Sequence, residues 1–524
     1  MKKRVCFFAL LILCLLLSAC GSGRQSQNSG SFPGGSGTEA DPYLIRSAGD
    51  LWLLAECING SDEYKNPYPA AYYRLEADID LGGERWTPLR ELSGGFDGAG
   101  HTISGFVIRK ASGQNTYGFF SKVSGTVGNL TISNAEISVV GEGAPYAGAV
   151  TGQLSDGTLY GCRATDTVSV FCVYQAGGIA GSVSSSASVG ESGVSRVENC
   201  VNEGRVESGG SVGSAAGIAA NLHGDVNGCV NRGSIVSAGE AGGIACSLAG
   251  HVDSCRNEGD VQAEKYAGGI CTSFSDASLN SSSNDTSVIL RDCVNQGAVS
   301  SATRIAAGIC GRISTGTIQG CSNSGDIRST NEAGGIFGYF QASAFGTPAA
   351  ELHISDCVNS GSITSEEGFV YAAGGIGGDL MSAGTRLWME NCENSGAVTS
   401  LDGKYVGGIL GKVSVSGESG AAADFINCRN SGEVRGAQHI GGVLGFANGT
   451  RLEGEGVLWE IRFKDCDNTG TIVGLRNGCC VGGITGGSDD GMDLVFADCT
   501  DGGQLLSEAD RVYMDALWPK VPLE

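Results

Sequence analysis

Proline, charge, aromatic rings and histidine are all scarce in this 524-residue chain. Nine prolines and no Gly-X-Y period exclude collagen. Charged residues at 17% and aromatics at 7% are too few for a conventional helical or α/β enzyme core. Basic residues are outnumbered 33 to 56, so no patch exists to release counterions from a polyanion, and nucleic acid is not expected as a partner. The five histidines never fall in His-Glu-x-x-His, which removes that metallopeptidase motif. No Walker phosphate loop occurs, and no serine-nucleophile elbow is expected. Beyond the first twenty residues no apolar run approaches membrane-spanning length. Glycine, by contrast, is abundant at 87 residues, beside an ordinary apolar share of 41%. That pairing points to many tight turns between short strands rather than to disorder. The net charge of −23 reads as solubility for an extended surface.

The start of the chain is an address. Lys2, Lys3 and Arg4 precede an unbroken apolar run, Val5 to Leu17, and then Leu17-Ser18-Ala19-Cys20. These residues resemble a bacterial lipobox, which implies cleavage before Cys20 and lipid attachment to its thiol. Residues 1–19 are therefore read as a lipoprotein signal peptide and 20–37, rich in Gly, Ser and Gln, as a flexible tether. The expected location is extracytoplasmic, lipid-anchored and surface-exposed.

Internal repetition decides the fold class. Cys-x-Asn-x-Gly-x-[Val/Ile] occurs nine times, from Cys200 to Cys466, with degenerate copies at Cys162 and Cys499. Between the copies runs Gly-Gly-Ile followed by a small or apolar residue, as in GGIFG at 334–338 and GGILG at 407–411. Successive cysteines lie 26 to 38 residues apart. The shortest spacings fit three short strands joined by turns, so the fold class is all-β: a right-handed parallel β-helix with a short N-terminal capping helix. Stacked coils place Asn202, Asn231, Asn257, Asn295, Asn323, Asn359, Asn394, Asn430 and Asn468 in one structural ladder at a turn. There asparagine tolerates the left-handed conformation and its amide can bond along the stack. The glycine two places on reads as a second positive-φ position. The isoleucine after each glycine pair is expected to point inward.

Cysteine numbers 21, of which 18 follow Cys20. Export and many cysteines together imply disulfides. Parallel strands, however, hold stacked side chains alike at strand spacing, which does not fit disulfide geometry. The repeat cysteines are expected to be small buried hydrophobes. Any disulfide is expected at Cys479–Cys480 or between Cys162 and Cys172. Cys-x-x-Cys spacing is absent, so no metal row is expected, and no cofactor is implied.

Residues 38–140 differ from the repeats at 141–505 and read as a cap with the first coils; 506–524 read as a C-terminal cap or tail. Leu51, Leu54, Ala55 and Ile58 share one helical face, with Ser47 and Asp50 to cap its start and Gly60 to close it. Strands are predicted at 72–81, 101–109 and 126–140. GTEADPYLIRSAGDLWLLAECING, YYRLEADIDLGGERWTPL, GGFDGAGHTISGFVI and YGFFSKVSGTVGNLTISNAEI resemble the N-terminal part of bacterial surface proteins carrying the GLUG motif. The likeness extends over about residues 37–500, with the GGI-x-G copies matching the family's glycine-rich turn; Ala99 stands where asparagine is common. It implies a β-helix on the cell surface and a role in adhesion, with no ligand named.

Chemistry-bearing residues are few. His101 reads as a structural hydrogen-bonding residue. Asp489, Asp490 and Asp493 share a loop without calcium-hand spacing and read as solvated. Asp78 and Asp80 read as neighbours on one solvent-facing strand face. The expected function is a non-enzymatic, monomeric binding scaffold for glycans or for host or neighbour proteins; the alternative is a polysaccharide-cleaving β-helix enzyme. That enzyme would need two or three carboxylates and an Arg or Lys converging on one face. From each repeat cysteine to the next GGI residue the distance is 15 to 19 residues, and from there to the next cysteine 11 to 23. The segments 182–197, 272–290, 339–354 and 447–463, the last with Trp459, are therefore expected to project from one edge and to carry ligand specificity. Cys20→Ala should release the protein from membranes or leave it uncleaved, read by detergent partitioning; unchanged partitioning would refute lipidation.

Overall fold

The computed structural model describes residues 31–60, 67–109, 115–141, 143–187, 193–274, 289–314, 316–341, 351–366, 372–383, 386–416, 421–449, 459–489, 491–508, 512–515 and 517. The signal peptide, Cys20 and most of the tether lie outside them, as do Asp490 and the central parts of the four variable segments. Every strand pair in the ladders is parallel, and the strands stack into four sheets of 15, 25, 13 and 12 strands among the described residues. The chain is a parallel β-helix, with the right-handed crossover that parallel strands take. We name the sheets A, B, C and D in chain order around a coil. The coil of Asn231 shows the plan: Asp225–Asn227 in A, Val230–Asn231 and Ile235–Ser237 in B, Glu240–Gly242 in C and Ala245–Ala249 in D. Three strands per coil are thus corrected to five short segments on four sheets. The glycine of the Asn motif bends sheet B in two, and the glycine pair adds a corner that hydrophobic spacing alone does not reveal.

The asparagines form the expected ladder. Each Nδ2 donates to the Oδ1 of the next asparagine at 2.7–2.8 Å, from Asn202 to Asn468. The other Nδ2 hydrogen serves the carbonyl of the glycine two residues on, at 2.8–3.1 Å. All nine side chains are buried. Asn468 ends the series by donating to Asp501 Oδ1 at 2.8 Å. The expected left-handed backbone is not at these residues. It falls three residues earlier, directly before each cysteine, at Asn199, Ser254, Asp292, Asp356, Asn391, Asn427, Asp465 and Asp498 (φ 50–55°). The glycine after each asparagine is not a positive-φ position either. A Cβ at Gly233 or Gly297 would sit 1.8 or 2.0 Å from the glycine carbonyl oxygen of the preceding coil, so close approach selects glycine.

The glycine pair has the same cause. A Cβ on its second member would lie 2.2–2.5 Å from the Cγ of the next coil's ladder asparagine, as at Gly217 with Asn231 and Gly408 with Asn430. The first member can be alanine, as at Ala216 and Ala307. Ile218, Ile244, Ile270, Ile309, Ile336, Ile376, Ile409 and Ile484 point inward and are fully buried, as expected.

The helix α1, Ala48–Asn59, buries Leu51, Leu53, Leu54, Ala55 and Ile58; the Ser47 hydroxyl accepts from Asp50 N, and the Asp50 carboxylate accepts from Arg46 N. Gly60 closes it in an extended conformation (φ −57°, ψ 158°), not a left-handed one. Trp52 on the helix meets Trp86 at 4.9 Å, and Trp86 stacks on Phe119 at 4.7 Å, sealing the first coil. The tether is shorter than expected, because Phe32 docks on Tyr43 at 4.7 Å. The predicted strands resolve into Tyr72–Leu75 and Ile79–Arg85, then Thr102–Arg109, then Thr126–Gly128 and Thr131–Val139.

All eighteen cysteines after Cys20 are free, and the repeat cysteines from Cys162 to Cys466 are buried. Their thiols donate to carbonyls two residues back, as Cys255 does to Asp253 O at 3.3 Å. Cys162 and Cys172 bond to separate carbonyls, Val127 O and Pro145 O, so the structure pairs neither these two nor Cys479 with Cys480. Burial pushes the Cys229 and Cys428 thiols up, and the neighbouring thiols add to it.

Two measurements check this core. Thiol titration after denaturation without reductant should find at least about ten of the 18 reduced. Asn323→Ala, which strips donors from Asn359 Oδ1 and Gly325 O, should cost on the order of 2–4 kcal/mol in local unfolding by hydrogen exchange, against under about 0.5 for Ser324→Ala.

Candidate functional site

At a convex corner the outward side chains of two sheets diverge; at the corner between sheets C and D they meet. Tyr405 on C lies 5.1 Å from Phe446 on D, ring to ring, and His439 on C lies 4.3 Å from Phe446. Arg312 on D donates to Glu240 on C at 3.0 Å and covers the Tyr266 ring at 3.9 Å. The outer surface is therefore concave here. The last glycine of GGI-x-G allows it: a Cβ at Gly445 or Gly486 would lie 2.7 Å from Val406 N or 2.4 Å from Ile440 N, backbone atoms of sheet C. The motif that builds the core corner also presses the backbones of C and D together to form the groove floor.

Each coil contributes two side chains to the groove. One stands two places before the glycine pair and one three places after the isoleucine, as Tyr405 and Lys412 flank VGGILG. Along sheet C the row reads Glu240, Tyr266, Ile305, Glu332, Ala372, Tyr405, His439, and along sheet D it reads Ser247, Ser273, Arg312, Tyr339, Asp379, Lys412, Phe446. Six strand steps make this stretch about 29 Å long.

Charge concentrates at its centre. Asp379 is only 6% exposed although it faces outward from sheet D. Its Oδ2 lies 3.9 Å from Lys412 Nζ, and its Oδ1 is buried with no hydrogen-bond partner among the described residues. Burial pushes the Asp379 carboxyl up to about 6, with Lys412 opposing. Half-buried Glu332 is pushed up to about 7, by burial first and then by the Asp379 charge. Tyr339 is pushed up to about 12 by burial and both carboxylates, and burial lowers His439. Lys412 Nζ sits 5.1 Å from the Tyr405 ring centre.

A second outward cluster, on sheet A, is saturated by comparison. Buried Asp424 is paired with Arg386 and Arg462, while Arg386 covers Trp388 at 3.7 Å. Two open hollows of about 800 and 510 Å³ lie elsewhere, one around Asn427 and Asp465 and one around Gln262 and Arg328. Neither contains a buried charge lacking a partner, and the C–D groove is the stronger candidate.

The residues singled out from sequence fall elsewhere. The asparagine ladder is inside the core and touches no solvent. Asp489 spends both carboxylate oxygens on Gly449 N and one also on Gly491 N, while Asp493 stands on a sheet A strand, so the two do not converge. Among the described residues no group of three His, Cys, Asp or Glu side chains could hold a metal. His101 bonds to Asp78 Oδ1 at 3.2 Å, the structural role expected of it. Asp78 precedes its strand rather than sharing a face with Asp80; the Thr102 N–H and then His101 pull its carboxyl below the usual range, and Asp80 accepts from Gly82 N. Gly209–Gly213 does spell Gly-x-Ser-x-Gly, but it lies between sheets B and C with no helix behind it, so no nucleophile elbow forms.

The variable segments do leave from one corner, between sheets D and A, with residues 188–192, 275–288, 342–350 and 450–458 outside the described part. Their ends are strands: Leu444–Gly449 and Trp459–Lys464 extend sheets D and A, and Trp459 is buried rather than displayed. The groove residues were missed because they occupy the two positions of the GGI repeat that change from coil to coil. That pattern was the available signal.

The chain matches no known family profile. It is 35% identical over 139 residues, 24% of this chain, to a protein of Evansella cellulosilytica provisionally named Gly-rich membrane protein. It is also 35% identical over 173 residues, 30% of this chain, to halomucin of Haloquadratum walsbyi. The matched stretches span 15% and 2% of those relatives' lengths. A crystal structure of a Bacteroides ovatus protein, provisionally named an immunoglobulin A1 protease, superposes with a TM-score of 0.36 at 21% identity, over 63% of this chain and 78% of that one. At that score the fold rests on the strand register above. Among the described residues no helix is long and apolar enough to cross a membrane.

A carboxyl whose folded pKa is raised binds more protons folded than unfolded, so its burial costs stability as pH rises through the interval between the two values. Glu332 moves from 4.5 to about 7, and removing that charge should matter by on the order of 3 kcal/mol. Glu332→Gln should therefore be more stable than the parent at pH 8, with the difference gone at pH 4, read by urea unfolding at the two pH values.

Proposed function

We propose that the protein is a surface-located β-helix of the GLUG-motif kind, held to the membrane by lipid on Cys20, that binds an extended glycan along the C–D groove. The observation that carries the reading is the row of rings and charges at strand spacing, Tyr266, Tyr405, His439 and Phe446 beside Arg312 and Lys412. Rings stack on sugar faces, and charged side chains bond hydroxyl and ionic substituents. A groove open along its length suits a polymer. The names of the two relatives, a membrane protein and a halomucin, agree with residence outside the cytoplasm. The protein is taken to act as a monomer and as a binder rather than an enzyme; a host or neighbour protein is the other ligand class the adhesin reading admits.

The polysaccharide-cleaving reading gains one specific support, because Glu332, Asp379 and Lys412 converge as such an enzyme requires. Against it, Asp379 is almost wholly shielded, and a catalytic carboxylate must touch the bond it breaks. New reducing or unsaturated ends after incubation with a polysaccharide panel would reverse that judgement.

The test is a glycan- and host-protein-array screen of residues 38–524, followed by titration of the best hit. Tyr405→Ala and Phe446→Ala should each weaken binding about three- to tenfold, the worth of one aromatic contact. Trimming 450–458, between the two strands, should leave it unchanged; the reverse result would move the site to the variable edge.

A further inference from the structure

The centre of the groove is one positive charge short. Glu332 on sheet C and Asp379 on sheet D bring two carboxyl groups to adjacent coils, and each figures in the other's surroundings. Lys412 is the ammonium they share. The nearest arginines are committed further along: Arg312 to Glu240 and the Tyr266 ring, Arg304 to the Tyr266 hydroxyl and ring. Arg304 still contributes some field at Glu332. Among the described residues no hydrogen bond or ion pair reaches the Glu332 carboxylate. One buried oxygen of Asp379, aimed into the groove, also has no partner.

The wall has a gap at the same place. Between Glu332 and Tyr405 the sheet C row carries Ala372, the smallest side chain of its seven, directly beside the Asp379 coil. The notch is thus bounded by Glu332 and Tyr405 on one wall and by Tyr339, Asp379 and Lys412 on the other. A cation between carboxylates and ring faces is held by charge and by the ring quadrupole together. Lys412, near both Asp379 and the Tyr405 ring, already shows an ammonium in that setting.

We infer that the Ala372 notch is a subsite for a primary ammonium group, so that the glycan recognised by the groove carries free amino sugars. The ammonium contacts Glu332 and lies over the Asp379 carboxylate, supplying the missing positive charge. In the empty groove a proton supplies it instead, in keeping with a Glu332 carboxyl raised to about 7. Binding of the cation at pH 6.5 therefore releases a proton. This inference rests on the groove being the glycan site.

The experiment titrates residues 38–524 with glucosamine oligomers and with the same oligomers fully N-acetylated, at pH 6.5, by calorimetry in two buffers of different ionisation heat. The expected result is at least about tenfold tighter binding of the free amines, with net proton release to buffer, and loss of both in Glu332→Gln and in Ala372→Leu, which fills the notch. Circular dichroism of each variant confirms the fold, and Ala372→Ser, which leaves the notch open, should bind as the parent does. Equal binding of both oligomers, weakened by Tyr405→Ala but not by Glu332→Gln, would overturn the ammonium subsite and leave the groove reading standing. Binding of either oligomer that neither Tyr405→Ala nor Phe446→Ala alters would overturn both. No binding of either oligomer overturns the subsite alone, and the array hit then judges the groove.

Discussion

The amide of one asparagine handed to the next is the interaction on which the other features depend. A buried amide is costly unless all its hydrogen-bonding groups are used, and here both hydrogens and the oxygen are satisfied within one stack. To lie in the stack, the side chain must pass where a Cβ of the preceding coil would otherwise be, which fixes the second glycine of each GGI. The asparagine motif and the glycine motif are therefore two halves of one contact between successive coils. Their spacing in sequence varies, but their meeting in space does not.

That contact also determines where a ligand can lie. With glycine at the corner and again two places on, the backbones of sheets C and D approach closely enough to invert the usual curvature. The side chains lining the resulting groove do not support the core, so they are free to differ from coil to coil. Glycine at the floor and variable residues at the walls separate the demands of folding from those of recognition within one eight-residue stretch. The Glu332–Asp379 pair illustrates the freedom: it carries an electrostatic burden that the core does not need.

Much of the fold was legible in the sequence, because stacking repeats its requirements. Nine copies of one motif make the ladder plain, and the inward isoleucines and unpaired cysteines follow from parallel stacking. The conformational reasons were less legible. Left-handed backbone belongs to Asn199 or Asp356, ahead of the cysteine, where the residues differ between copies; the repeated Asn and Gly answer to contacts with another coil, which no local rule reports. The groove escaped for the opposite reason. Tyr405 and Lys412 are seven residues apart and look like ordinary surface positions until the corner between them is seen to bend inward.

The ladder has a direction. Every amide gives its hydrogen toward the C-terminus and receives from the N-terminal side, and the run finishes on Asp501, whose carboxylate accepts from Asn468 and from Gly503 N. An ionised carboxylate has no hydrogen to pass on. Where a tenth asparagine would offer a donor to whatever strand arrived next, Asp501 offers only negative charge. The stack is a one-way relay with a chemical full stop, and its length is written in that single exchange of an amide for an acid. Another molecule's first coil finds nothing there to continue, so the end of the solenoid resists becoming the beginning of a fibre.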